Sequence, residues 1–268
     1  MGISMEDFLY FIPLFFLISL IYSSIGFGGG SSYIAVMAIF GLPFSLIPKT
    51  ALLCNIVVVS GGCYTFFRLN NIDFMRVKNF VIGSVPLAYL GGMIQVNKEI
   101  FLFTLSISLI VTSIIMFFFS IEKKRKLKID FIQNRLTEHY SSFITKTSFF
   151  EIFIGGGLGF ISGIVGIGGG IFLAPLLYLT RWGDAKQIAA ASSFFILINS
   201  MSGLFGQFSK GSSGYELLNI LPFIIAVLIG GQIGSQIGAF KLSERFLENI
   251  TGTMVLFVGI QILTKAVV

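Results

Sequence analysis

Two glycine runs have the arrangement in this chain that most suggests a binding chemistry. They are Gly26-Phe27-Gly28-Gly29-Gly30 and, at an offset of 140, Gly166-Ile167-Gly168-Gly169-Gly170. Each glycine costs a helix about 1 kcal/mol relative to alanine, and packing alone would ask for glycines four apart. Consecutive ones read as unwound backbone whose N–H groups can face a ligand. A short apolar stretch follows each run, 31–42 and 171–180. A helix starting there aims the positive end of its dipole back at the glycines. Two such ends meeting at mid-membrane make an anion site without any fixed charge.

Uncharged side chains complete the candidate set. Thr50 follows the first run, and Ser192, Ser193 and Asn199 follow the second. Pro175, five residues beyond the glycines, is placed to keep its short segment from continuing the helix before it. Ser192, Asn199, Gly203 and Gly206 form one narrow helical stripe. Its first-half counterpart is Thr50, Val57, Gly61 and Tyr64, with Cys54 beside it. Gly155, Gly159 and Gly163, and Gly230, Gly234 and Gly238, instead read as helix-packing positions.

Other chemistries lack residues. The single histidine, His139, stands in a polar segment without ligand partners. Glu99, Glu151, Glu216, Glu244 and Glu248 all fall near the ends of apolar runs, which leaves a buried carboxylate relay unsupported. Cys54 and Cys63, nine apart, lie on opposite faces of one helix and can neither pair nor clasp a metal together. No catalytic set, metal site or cofactor is implied, so the chain is not read as an enzyme. Glu244 and Glu248 do form an E-x-x-x-E of a kind open to use by a membrane lipid-phosphate enzyme, and a surface helix turn explains the pair as well.

These residues must be positioned by a membrane fold. Of the 268 residues 55% are hydrophobic and only 11% charged, against about 25% charged in soluble domains. Apolar runs of spanning length occupy 8–25, 49–67, 79–96, 100–120, 149–165, 188–208, 216–240 and 249–264. The first is flanked by Glu6 and Asp7 and lacks a small-residue cleavage site, so it reads as a span rather than a signal peptide. The 18 basic and 12 acidic residues give a net charge of +6. The basic residues sit between apolar runs, as membrane topology requires and nucleic-acid binding does not.

Both halves follow one order: long helix, glycine run, short segment, three long helices. The expected architecture is all-α and polytopic, with eight full spans and two short broken or re-entrant segments. Residues 1–120 and 149–268 form two homologous membrane repeats, joined by a basic cytoplasmic connector over 121–148. If the short segments cross, the repeats are inverted and the basic residues divide 14 to 4 between the two sides; if they turn back, the division is 12 to 6. The positive-inside rule favours inversion. The connector places Ile132, Leu136, Tyr140 and Phe143 at helical spacing, suiting either an amphipathic surface helix or a solvated tether.

Gly166-Ile167-Gly168-Gly169-Gly170-Ile171-Phe172-Leu173-Ala174-Pro175-Leu176 resembles the signature of the sulfite exporter TauE/SafE family, and the stretch Gly183 to Ser193 is similar to that family's pattern as well. The first-half copy keeps the glycines but has Ala35 in place of a proline and Thr50-Ala51 where a Thr-Ser pair is common. The resemblance implies a multi-pass permease of the bacterial inner membrane. It would move small anions, often sulfur-containing ones such as sulfite, thiosulfate or sulfonates. The site it points to is Gly28, Gly29, Gly30 and Thr50 facing Gly168, Gly169, Gly170, Pro175, Ser192, Ser193 and Asn199. The expected partners are the lipid bilayer and the anion, with homo-oligomerisation left open. An anion channel and a lipid-phosphate enzyme are the competing classes.

Overall fold

A computed structural model describes residues 5–43, 45–69, 73–94, 147–180, 182–210 and 220–240, with scattered positions between 97 and 114 and between 253 and 260. Eight helices lie among the described residues: α1 (Met5–Ser24), α2 (Gly30–Ile39), α3 (Ile47–Arg68), α4 (Phe74–Met93), α5 (Thr147–Val165), α6 (Gly170–Leu179), α7 (Ala185–Phe208) and α8 (Leu221–Phe240). Helices α3, α7 and α8 are long and apolar enough to cross a membrane. The expected runs 100–120 and 249–264, the connector 121–148 up to Thr147, and the Glu244–Glu248 pair lie outside the described helices. Large apolar side chains point outward, with Phe149 87%, Phe153 81% and Phe205 65% exposed. Such a surface belongs in lipid.

The most extensive helix–helix interfaces join helices from opposite halves of the sequence: α1 on α8, α5 on α4, α3 on α8, α7 on α4, and α3 on α7. The pattern is duplicated, since α1–α8 corresponds to α5–α4 and α3–α8 to α7–α4. The two helices of each exchanged pair run parallel. Gly155, Gly159 and Gly163 of α5 meet the backbone of Phe80, Ser84 and Ala88 in turn, leaving no room for a methyl group. Gly230, Gly234 and Gly238 of α8 meet Phe16, Leu20 and Ser24 of α1 in the same way. Both G-x-x-x-G sets therefore bring backbones together, as their spacing requires. Helices α3 and α7 cross in opposite directions: Gly62 faces Ser193, and Gly203 faces Leu52.

Each short helix begins at a break. Gly26 and Gly29 in the first loop, and Gly166, Gly168 and Gly169 in the second, have φ between 81° and 86°, a left-handed conformation that favours glycine. From that break α2 runs back along α1, with Tyr33 stacked on Phe15 at 4.7 Å and Phe40 against Phe11 at 4.8 Å. Pro175 lies buried inside α6 rather than at its boundary. Helix α2 has Ala35 at the equivalent place and the same ten-residue length. The glycines, not the proline, interrupt the helix.

Candidate functional site

Side chains cap the starts of α4 and α7. Asp73 accepts from the N–H of Arg76 at the start of α4, and Asp184 and Gln187 form a reciprocal capping box at the start of α7. Helices α2 and α6 start on Gly29 and Gly169, which have no side chain to cap with. The N–H groups of Gly28, Gly29, Gly30, Gly168, Gly169 and Gly170 have no hydrogen-bond partner among the described residues. All six glycines are buried. Buried N–H groups are nearly always satisfied, and these six are exceptions.

One side chain joins the two loops. Asn55 of α3, fully buried, donates from Nδ2 to the carbonyl of Ile167 at 2.7 Å. Its carboxamide also packs on Gly28 and Gly30, where an added Cβ would lie 2.7 Å from Cγ and 2.6 Å from Nδ2 respectively. A Cβ on Gly168 would sit 2.5 Å from Ser200 Oγ and 3.2 Å from Asn55 Nδ2. From the other side, Ser193 Oγ donates to the Gly26 carbonyl at 2.8 Å. Each loop is thus tied to a helix of the opposite half. The backbones follow suit, Gly26 against Ala189 and Gly166 against Pro48.

The candidate residues divide under this geometry. Gly28, Gly30 and Gly168 gather on Asn55, Ser193 reaches across to the Gly26 carbonyl, and Gly170 packs on Ile196 and on the Ser192 carbonyl. Asn199 is buried, and its Nδ2 donates to the Phe195 carbonyl at 2.9 Å. Thr50 is buried but lies five residues before Asn55, about 140° round the helix. The first-half stripe turns away from the loops: Tyr64 is 62% exposed, and Gly61 faces Gln232 of α8. Gly203 and Gly206 serve as contacts to α4 and α5. Asn55 and Ser200 escaped the stripe argument, although an amide and a hydroxyl within apolar runs were the available signal.

Several polar side-chain atoms are buried unpaired among the described residues. Asn55 Oδ1, Asn199 Oδ1, Tyr33 Oη and the hydroxyls of Ser31, Ser162, Ser192 and Ser200 are buried without a hydrogen-bond partner. Tyr33 packs near Gly29 and Ser162 near Gly169. No group of three His, Cys, Asp or Glu side chains able to hold a metal occurs among the described residues. An open groove lined by Val85, Pro86, Tyr89, Leu90, Ser202 and Phe205 lies on the outer face of α4 and α7 and includes no loop residue. At one end of the fold the Arg76 guanidinium stacks on Trp182, 4.3 Å from the ring centroid, and donates to its carbonyl. Lys49, at the start of α3, and Lys210, just beyond α7, are close enough for the charge of Lys49 to act on Lys210.

Paired broken helices inside an apolar helical fold are an arrangement that many membrane transporters use. The sequence comparisons agree: the family model for the sulfite exporter TauE/SafE matches residues 11–262. The chain belongs to that family. It is 32% identical over 250 residues to the probable membrane transporter protein y4hK of Sinorhizobium fredii, covering 93% of this chain and 95% of the relative. It is 26% identical over 280 residues to the probable membrane transporter protein MJ0441 of Methanocaldococcus jannaschii, covering 94% and 96%. The probable membrane transporter protein YunE of Bacillus subtilis is 24% identical over 260 residues, covering 91% and 93%. No solved structure matches.

Proposed function

We propose that this integral membrane protein is a secondary transporter of a small anion, sulfur-containing such as sulfite, thiosulfate or a sulfonate, in a bacterial inner membrane. One observation carries the reading: two buried helix N-termini, both uncapped, converge on one carboxamide with six glycine N–H groups free. Each helix end supplies about half a positive charge, which suits an anion. Complete burial of both loops fits an occluded carrier better than an open pore.

The repeats 1–120 and 149–268 are inverted in this reading. Its supports are the antiparallel crossing of α3 and α7, the parallel exchanged pairs and the return of α2 along α1. Because the extensive interfaces exchange helices between halves, the bodies that rock about the site are α1 with α8 and α4 with α5, hinged on α3 and α7. Thermal-shift measurements of purified protein with sulfite, sulfate, thiosulfate, sulfonates and carboxylates test the proposal, because a ligand of the native state stabilises it according to occupancy. Gly169, at φ 81°, is the diagnostic position. Gly169→Val should abolish transport while the protein still inserts; normal flux at equal abundance would refute the site.

A further inference from the structure

The donors at this site are accompanied by acceptors that no simple anion would satisfy. Asn55 Nδ2 and Asn199 Nδ2 are both committed to backbone carbonyls, Ile167 and Phe195. A carbonyl oxygen accepts only from a donor, so each bond fixes which way its amide points. The two Oδ1 atoms are therefore oriented as acceptors, and both are buried without a partner. The hydroxyls of Ser31, Ser162, Ser192 and Ser200 can donate or accept and are indifferent to the choice. The amide oxygens are not. An oxyanion presenting only lone pairs would leave Asn55 Oδ1 unsatisfied and facing like charge, beside the glycine N–H groups that hold it.

We propose that the site takes an oxyanion carrying its own hydrogen-bond donor, an O–H or N–H that reaches Asn55 Oδ1 while the glycine N–H groups bind the anionic oxygens. The inference rests on the anion reading above and narrows it to a substrate class. For an inorganic oxyanion it selects the protonated form; for a sulfonate it selects one with an amino or hydroxyl group beside the sulfur. A metal cation is the other species an orphan amide oxygen accepts. Two helix N-termini aimed at the same place work against it.

A matched pair of anions isolates the donor. Sulfamate and methanesulfonate are similar in shape and are both monoanions at pH 7; one carries NH2 where the other carries CH3. Thermal-shift titration of the purified full chain should give sulfamate at least about tenfold tighter apparent binding, since a buried acceptor left unpaired is costly. Asn55→Leu removes, at similar volume, the acceptor that the donor reaches, and should bring the two affinities together in a variant that still melts cooperatively; a sulfamate preference that persists there would overturn the proposal. Equal affinities in the wild-type protein would overturn the proposal and leave the anion site standing. Stabilisation by sodium chloride over choline chloride, with no preference between the two anions, would assign the amide oxygens to a cation and also overturn it. Failure of both anions, and of sulfite, thiosulfate and sulfate, to stabilise the protein would remove the anion reading itself.

Discussion

Gly28 is glycine because Asn55 occupies the space beside it, and that statement can be tested by a double-mutant cycle. The φ of Gly28 is not positive, so alanine there brings no left-handed strain. Its Cβ would instead strike Asn55 Oδ1, with Cγ at 2.7 Å and the Asn55 Cα at 3.1 Å. The carboxamide must shift, which breaks its 2.7 Å bond to the Ile167 carbonyl and leaves a buried acceptor unpaired, at about 1–3 kcal/mol. Asn55→Ala loses the same bond directly. In the double variant only the 3.1 Å approach to Cα remains, so the bond is lost once. The pair should cost about 1–3 kcal/mol in total rather than the sum of two such losses, a coupling of about 1–3 kcal/mol. Unfolding in detergent gives the four stabilities, and flux in proteoliposomes shows whether both single variants impair transport. Additive losses, or a Gly28→Ala protein with unchanged stability and flux, would refute the claim that Asn55 links the loops.

Other positions give sharper contrasts in stability. Gly159→Leu should lower the melting temperature severely, because α4 and α5 touch there through backbone. Gly157→Ala, with nothing within 4 Å of the new methyl, should stay within about 0.5 kcal/mol of wild type. Arg76→Ala should lose about 0.5–1 kcal/mol from its stacking on Trp182, measured by the same unfolding assay. Burial first, and then the neighbouring charge of Lys49, hold the Lys210 ammonium below the usual lysine range. A depressed folded-state pKa means that stability rises as pH climbs from that value to the unfolded one, near 10.4. A melting series across alkaline pH should show the rise, and Lys210→Gln should flatten it.

What could be read from sequence was whatever a backbone alone dictates. Consecutive glycines signal a break, and the left-handed φ of Gly26, Gly29, Gly166, Gly168 and Gly169 bears that out. Glycines four apart signal close helices, and the α4–α5 and α1–α8 contacts agree. Asn55 was not legible, because its bond to Ile167 spans 112 positions and depends on how the halves interleave. A side-by-side alignment set Asn199 against Val57 and passed over the amide two residues earlier. Pro175 misled for a related reason: proline breaks helices in general, yet here the break precedes it and α6 accommodates it. Tyr64 fell on the outward face because helical spacing gives a stripe but not the direction it faces.

The central claim is that free main-chain N–H groups of the two glycine loops hold the transported anion. Crystals of the protein grown with selenite, an oxyanion that carries an O–H near neutral pH, would locate it by the anomalous signal of selenium. The account predicts one peak between Gly28–Gly30 and Gly168–Gly170, within hydrogen-bond distance of their amides and of Asn55 Oδ1. A peak elsewhere, with both glycine loops capped by protein groups, would contradict it.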